Sequence, residues 1–189
     1  MTTHEDPGWW PSLRGFWWYA IAIGFVRLFR ARRVEPNGLV ILRSVFLALV
    51  VVPLLFVVPL SSIAPWDGGD ERWVPWLVIL GRIASFAWVS SIRQRPLRAT
   101  SLEGLANWYR ALFFIGVGMA VSAVMWGFVG VFLGGSLWIY LLGLPFGLVG
   151  MWMIAPTRSD IERRQREITA AGYSLSLLDA LISVPFARP

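Results

Sequence analysis

Cysteine and lysine are absent from this 189-residue chain, and His4 is its single histidine. Without cysteine, the chain forms no disulfide and offers no thiolate for nucleophilic or metal chemistry. One histidine is too few for a Cys/His metal site or for paired-histidine haem ligation within one chain. We therefore predict no metal and no cofactor, and membrane redox chemistry is not expected.

Aspartate, glutamate and histidine are also absent from four long apolar stretches, at residues 39–60, 73–92, 111–133 and 137–155. At 1.5 Å per residue, each stretch is long enough for a helix to cross about 30 Å of hydrocarbon. The composition is 57% hydrophobic, which leaves too little polar surface for a soluble globule of this size. The sequence predicts an all-α integral membrane protein with four transmembrane helices at these positions.

The cations of the chain are all arginine, and their distribution predicts the orientation. Fifteen of the 17 fall into three clusters, at 14–43, 93–110 and 158–188, whereas the connection 61–72 is acidic. Because cytoplasmic loops retain basic residues, both termini are expected in the cytoplasm. The exclusive use of arginine is typical of GC-rich bacterial genomes, so we expect a bacterial inner (plasma) membrane.

The same clusters predict contacts with anionic lipid headgroups. The residues expected to make them are Arg27, Arg30, Arg32, Arg33, Arg43, Arg93, Arg95 and Arg98. Arg43 lies four residues inside the first stretch, where its side chain is expected to reach the headgroups as a topological anchor. Nucleic acid is not an expected partner, since the basic residues lie where membrane topology already requires them.

Three segments follow from this layout: a cytoplasmic segment 1–38, a transmembrane bundle 39–155 and a cytoplasmic helical tail 156–189. The apolar run 16–26 is too short to span, so it predicts either an interfacial helix or a helix buried on the bundle. In the tail, Ser159 and Glu162 predict a capping box that opens a helix through Ala171, with Gly172 as its stop. The amphipathic stretch 175–182 is expected to dock on the membrane or on a partner. Residues 101–110 are compatible with a short interfacial helix.

Small residues recur on one face of the third stretch and again in the fourth. They are Gly116, Ala120, Ala123, Gly127, Gly130 and Gly134, followed by Gly143, Gly147 and Gly150. In lipid, such faces let helix backbones approach closely. The connection 134–136 is a tight turn, so we expect the two faces to pack against each other as an antiparallel hairpin. Homodimerisation is the alternative, and a ligand groove is a third.

Arg82 lies in the middle of the second stretch, about 15 Å of helix from either end. A central arginine opposes membrane insertion by about 2.5–3.5 kcal/mol, and its guanidinium cannot shed its proton. It should therefore face protein or a polar cavity. Three kinds of acceptor remain open: backbone carbonyls with the Ser85 and Ser122 hydroxyls, a carboxylate from another subunit, or a bound anion. Pro53, which lacks an N–H, points to the Leu49 carbonyl as one internal acceptor.

No constellation of nucleophile, base or metal ligand occurs in the sequence, so an enzyme is not expected. A proton-coupled transporter is disfavoured, because the apolar stretches lack aspartate, glutamate and histidine. We expect a non-catalytic subunit that scaffolds or stabilises a larger plasma-membrane complex, with other membrane subunits or further copies of itself as partners. The alternative is a small oligomeric transporter, channel or flippase that uses Arg82 for an anionic solute or lipid.

Overall fold

The computed structural model describes residues 5–21, 37–64, 66, 72–96 and 101–185. The elements of this part of the chain are helices, joined by turns and short irregular segments. They are α1 (Trp10–Ile21), α2 (Gly38–Leu55), α3 (Val57–Ile63), α4 (Val74–Arg93), α5 (Leu102–Phe132), α6 (Leu137–Leu141), α7 (Gly143–Ile154), α8 (Arg158–Ala170) and α9 (Leu177–Ser183). Several predicted features lie outside the described residues: Arg27, Arg30, Arg32, Arg33, Arg98 and residues 22–26 of the N-terminal apolar run.

Four helical segments are long and apolar enough to cross a membrane, at Gly38–Ile63, Val74–Arg93, Leu102–Phe132 and Leu137–Ile154. They fall on the four stretches predicted from the sequence. The prediction of an all-α protein with four spans is therefore confirmed at the level of helix length and composition.

The third of these segments begins earlier than predicted. Helix α5 runs without a break for 31 residues from Leu102, so residues 101–110 do not form a separate interfacial helix. The helix contains no proline that would end it, and Glu103 in its first turn is favourably placed for the helix dipole.

Two of the apolar segments are interrupted. The first is broken at Phe56, three residues after Pro53, and the fourth is broken at Leu142, three residues before Pro145. Proline has no N–H to donate and its ring crowds the preceding turn, which weakens the helical hydrogen-bond ladder around it. The sequence-based boundaries did not include these breaks.

Glycine ends two helices in the left-handed conformation. After α5, Gly134 has φ +90°, and Gly135 donates its N–H to the Gly130 carbonyl at 2.9 Å. After α8, Gly172 has φ +87°, so the predicted stop at Gly172 is confirmed.

The start of α8 differs from the prediction. Its N-cap is Thr157, whose side chain accepts a hydrogen bond from the N–H of Asp160, whereas Ser159 already lies in the first turn. A hydroxyl residue followed three positions later by an acidic residue occurs twice here, as Thr157 with Asp160 and as Ser159 with Glu162. Thr157 has the extended backbone conformation typical of an N-cap, so the earlier copy caps the helix.

The chain divides into two compact units. The first comprises Met1–Ala48, Pro96–Ala111 and Ala155–Pro189, and the second Leu49–Arg95 and Leu112–Ile154. The predicted segments 1–38, 39–155 and 156–189 follow chain order, but the first unit joins both terminal segments to the ends of the long helices. Its buried side chains include Leu39, Leu42, Leu105, Ile161, Ile168, Leu177 and Leu181. The second unit has a core cluster of Leu60, Ala64, Val124, Val131, Leu137 and Tyr140.

Candidate functional site

Arg82 is the ninth of the 20 residues of α4 and is only 8% exposed. It belongs to the buried face of the helix, which recurs every three or four positions. This face comprises Val74, Val78, Gly81, Arg82, Ser85, Val89 and Ile92. This period is that of one face of an α-helix, and Arg82 is the one charged residue among its members.

The guanidinium of Arg82 is hydrogen-bonded within the second unit. Its Nη2 donates to the carbonyl of Ile139, a residue of the short helix α6. The break at Leu142 follows three residues later, and the Leu142 N–H donates to the Trp138 and Tyr140 carbonyls. Arg82 thus binds the fourth apolar segment next to its interruption, through the backbone carbonyl of Ile139.

Two glycines allow the guanidinium to occupy this place. A methyl group at Gly127 would lie 2.7 Å from Nη2 of Arg82, and a methyl group at Gly143 would lie 2.5 Å from the same atom. Neither distance is possible between unbonded heavy atoms of this kind, so any larger residue would displace the guanidinium. We refer to Arg82, Gly127, Ile139 and Gly143 as the Arg82 site.

The Arg82 site leaves one buried donor unused. Within the described part of the chain, Nε of Arg82 is buried and has no hydrogen-bond partner. A buried donor without an acceptor carries its full desolvation cost, about 1–3 kcal/mol and more when the group is charged. The Ile139 carbonyl therefore compensates the guanidinium only in part.

The serines predicted to serve Arg82 bind each other instead. Ser85 and Ser122 hydroxyls are 2.8 Å apart. Ser85 Oγ also lies 2.9 Å from the Gly81 carbonyl, and Ser122 Oγ lies 2.8 Å from the Met119 carbonyl. Each hydroxyl has one proton, so one serine donates to its carbonyl and the other donates to its partner serine. Between residues 37 and 185, as far as the structure describes them, neither hydroxyl is hydrogen-bonded to the guanidinium. The pair links α4 to α5 one turn away from Arg82.

The Leu49 carbonyl, which the position of Pro53 predicted as an acceptor for Arg82, is not the acceptor found. The acceptor found for Arg82 is Ile139, not Leu49, while the carbonyl of Pro53 itself accepts a hydrogen bond from the Tyr140 hydroxyl at 2.6 Å. Tyr140 is fully buried. Sequence reasoning missed Tyr140, although a tyrosine beside a break in an apolar segment is a signal that a hydroxyl is needed there.

No carboxylate of the spans is available to Arg82. The sequence contains none between residues 104 and 155 or between 72 and 102, and none between 38 and 63. Accordingly, the ion pairs of the described residues do not include Arg82. Among the residues that the structure describes, the Arg82 charge has a hydrogen bond but no countercharge.

The small residues of the third and fourth apolar segments face each other in the second unit. Of the predicted set, Gly116, Ala120, Ala123, Gly127, Gly130, Gly143, Gly147 and Gly150 are buried, whereas Gly134 lies in the exposed turn. A methyl group at Gly150 would lie 3.2 Å from Cβ of Ala120, and one at Gly116 would lie 2.8 Å from Ile154. The structure therefore uses these faces for packing within the hairpin.

A second set of polar contacts lies in the first unit, around Arg43. Its side chain is fully buried, and it forms two hydrogen bonds to the Asp6 carboxylate, at 2.6 and 2.9 Å. It also donates to the carbonyls of Gly8 and Pro156, at 2.7 and 3.0 Å, and lies over the Trp9 ring. The predicted headgroup contact of Arg43 is therefore corrected. The guanidinium is used inside the protein, because a carboxylate 37 residues away reaches it.

The ion pair changes the titration of Asp6. Hydrogen bonds from Arg43 lower the pKa of Asp6 below its ordinary value of 3.8, while partial burial acts in the opposite direction. The carboxylate is therefore charged at neutral pH and holds the segment before α1 to α2.

The C-terminal amphipathic helix is also held within the first unit. Leu177, Ala180 and Leu181 of α9 are fully buried. Arg110 donates to the carbonyls of Val184 and Pro185, at 2.6 and 2.9 Å. The apolar face of α9 is therefore covered by its own chain, which corrects the prediction that it docks on the membrane or on a partner. A cation at the end of a helix also suits the helix dipole.

The remaining basic residues include ion-paired side chains of α8 and exposed side chains at and just after the end of α4. In α8, Arg158 is paired with Glu162 at 2.7 Å, and Arg163 with Glu167 at 2.8 Å. Arg93 and Arg95, which were predicted to bind headgroups, are exposed at the end of α4. Among the described residues, no group of three histidine, cysteine, aspartate or glutamate side chains is placed to hold a metal ion.

The fold and the Arg82 site together define a class, a multi-pass helical protein with a charged group inside its apolar segments. No protein-family model matches the sequence, and neither curated proteins nor solved structures give a match.

Proposed function

We propose that this protein is a non-catalytic multi-pass membrane subunit that scaffolds or stabilises a larger membrane protein complex. The observation that carries the proposal is the Arg82 site, a buried permanent charge held on one carbonyl with no countercharge in its own spans. An apolar residue of similar size would avoid the desolvation cost. Charged groups at this depth generally serve a function. A neighbouring subunit that supplies the missing countercharge would give Arg82 such a function.

The contacts of the first unit support the same function. Buried arginines there bind the chain's own segments: Arg43 holds residues 6–8 and Pro156, and Arg110 holds the end of α9. These contacts order both terminal regions into one compact unit. An ordered unit of this kind offers a suitable surface for other subunits.

The proposed location is the bacterial inner (plasma) membrane, with both termini in the cytoplasm. The arginine distribution supports this orientation. Trp66 and Trp138 are exposed and lie in contact, with ring centroids 5.8 Å apart. Tryptophan is enriched at membrane interfaces, so this pair suits the outer boundary. At the proposed inner boundary, exposed Arg93 and Arg95 are suited to anionic headgroups.

A second candidate is a small oligomeric transporter, channel or flippase for an anionic solute or lipid. Two observations favour this function. Nε of Arg82 has no hydrogen-bond partner among the described residues, and the guanidinium lies against Gly143, the first residue of α7. A helix N-terminus carries partial positive charge, and two positive features in one place attract an anion.

Two experiments in one strain separate the candidates. Deletion of the gene should lower the amount of one membrane complex, and a tagged wild-type copy should restore that complex and co-purify with it in stoichiometric ratio. Purified protein alone, in liposomes loaded with chloride or nitrate, should show no flux above that of empty liposomes. A saturable anion flux that Arg82→Gln abolishes would instead establish the transport function.

A further inference from the structure

Arg82 lies at the edge of the buried face of α4, next to residues that are exposed. Ile79 is 42% exposed and Ile83 is 60% exposed. An α-helix turns by about 100° per residue. Seen along the axis of α4, Ile79 and Ile83 therefore lie on one side of Arg82, and the other residues of the buried face lie on its opposite side. A helix that packed along Ile79 and Ile83 would therefore lie next to the backbone position of Arg82. The guanidinium, which lies between Gly127 and Gly143 in the isolated chain, would turn outwards to reach that helix.

The donors of Arg82 are suited to a carboxylate. A guanidinium carries five N–H donors, and its planar fork matches the two oxygens of a carboxylate. In the described chain, one hydrogen bond goes to Ile139, and Nε has no partner. An acceptor that also carries negative charge would satisfy both the donor and the charge.

A second copy of this chain does not meet that requirement. Its apolar stretches contain no aspartate, glutamate or histidine, so a homodimer would bring a second arginine and no carboxylate to this depth. Charge complementarity therefore points to a different protein.

We propose that Arg82 is the docking residue for a transmembrane helix of another protein that carries one carboxylate near the middle of the membrane. The partner helix packs along Ile79 and Ile83, and its carboxylate accepts hydrogen bonds from the guanidinium, which the Ile139 carbonyl holds in the isolated chain. The inference rests on the proposed subunit function and specifies the chemistry of the partner.

The test uses synthetic transmembrane helices as probes. Peptides of about 20 leucine-rich residues with interfacial tryptophans carry either glutamate or glutamine at the central position. Each dye-labelled peptide is reconstituted with the full-length labelled protein in zwitterionic vesicles, and association is measured by energy transfer. Glutamine can also donate and accept hydrogen bonds, so the comparison isolates the charge. We expect the glutamate peptide to associate about tenfold more tightly, which corresponds to about 1.4 kcal/mol.

Two variants locate the effect. Arg82→Gln should remove the preference for glutamate, whereas Arg93→Gln, at the exposed end of the same helix, should retain it. Because the peptide pair is compared on unchanged wild-type protein, a folding defect in Arg82→Gln does not affect the main readout. Moving the glutamate about two turns towards either end of the peptide should also abolish the preference.

Equal binding of the two peptides to the wild type would overturn the inference, as would a glutamate preference that survives in Arg82→Gln. Suppression of the preference by chloride relative to gluconate would show that a free anion occupies the site, and would also overturn it. These results are distinguishable from failure of the proposed function. If a native complex depends on the protein but the peptides show no preference, the subunit function stands and the docking residue is wrong.

Discussion

Arg82 donates a hydrogen bond to the backbone carbonyl of Ile139, three residues before the fourth apolar segment is interrupted. A second interrupted segment uses the same device, because the Pro53 carbonyl accepts the Tyr140 hydroxyl. In both places, a polar side chain from another apolar segment satisfies a carbonyl near a break. Backbone groups in a membrane interior require such partners, since water is not present to replace them.

The glycines of the Arg82 site should not tolerate a methyl group. Gly143→Ala and Gly127→Ala would place Cβ 2.5 and 2.7 Å from Nη2 of Arg82, so the guanidinium must move away from Ile139. We expect each to destabilise the protein by about 1–3 kcal/mol, as overpacking does. Thermal unfolding in detergent measures this. Gly118→Ala is the matched control, because no atom lies within 4 Å of its added Cβ. Equal melting of all three variants would contradict the tight packing of this site.

The Tyr140 hydroxyl should stabilise the interrupted first segment. Tyr140→Phe retains the ring and removes the hydrogen bond to Pro53, which is 2.6 Å long and buried. We expect a loss of about 1–2 kcal/mol, the upper part of the range for hydrogen bonds between membrane helices. Unfolding by sodium dodecyl sulfate, followed by tryptophan fluorescence, measures the loss. Tyr173→Phe outside the spans serves as the control, and a loss of equal size in both variants would refute the role of Pro53.

The ion pair of Asp6 and Arg43 should hold the N-terminal segment to α2. Asp6→Asn leaves a fully buried guanidinium without its carboxylate, and breaking one side of a buried pair costs about 3–5 kcal/mol. We expect faster proteolysis before α1 and a lower melting temperature. Glu5→Gln is the neighbouring control, because Glu5 is exposed. Unchanged cleavage in Asp6→Asn would show that the pair contributes little.

The same pair predicts the acid sensitivity of the fold. The pKa of Asp6 is lowered in the folded protein, chiefly by hydrogen bonds from Arg43. A carboxyl of this kind contributes stability that is present above its ordinary pKa of 3.8, and that stability is lost as the pH falls through the lower folded value. The difference in melting temperature between wild type and Asp6→Asn should therefore shrink below about pH 4. A constant difference from pH 7 to pH 3 would contradict this assignment.

Arg110 should keep the C-terminal helix in place. Arg110→Leu removes two hydrogen bonds to the carbonyls that follow α9. The apolar face of that helix and the hydrogen bond from the Leu177 N–H to the Gln165 side chain then remain to hold it. Amide hydrogen exchange in residues 177–183 should become at least about tenfold faster, as expected for the loss of about 1.4 kcal/mol of local stability. Arg166→Leu, an exposed arginine of α8, should leave this exchange unchanged. If both variants exchange alike, the carbonyl contacts of Arg110 do not hold α9.

The four spans were predictable because membrane helices leave strong local signals. About 20 apolar residues, an arginine-rich flank and a Gly-Gly-Ser turn each lie within one short stretch of sequence. The glycine faces were predictable for the same reason, since their period of three and four residues is local. The length of α5 was underestimated, because a polar segment that continues a helix beyond the apolar region carries no boundary signal of its own.

The partners of the buried arginines were not predictable in this way. Arg43 is separated from Asp6 by 37 positions, and Arg82 from Ile139 by 57. Neither spacing follows from the period of a helix. Every residue type has a backbone carbonyl, so the sequence does not identify which carbonyl accepts the hydrogen bond. The amphipathic stretch 175–182 was placed on an external surface because its pattern identifies an apolar face, but not what covers that face.

The mass of the species extracted from native membranes tests the subunit function most directly. The protein, tagged at its natural expression level, is isolated in lipid nanodiscs without detergent and measured by native mass spectrometry. The predicted result is a complex that contains this 21.3 kDa chain together with at least one different membrane protein in fixed ratio. A mass that corresponds only to the chain itself, as a monomer or as a homo-oligomer, would contradict the proposed function.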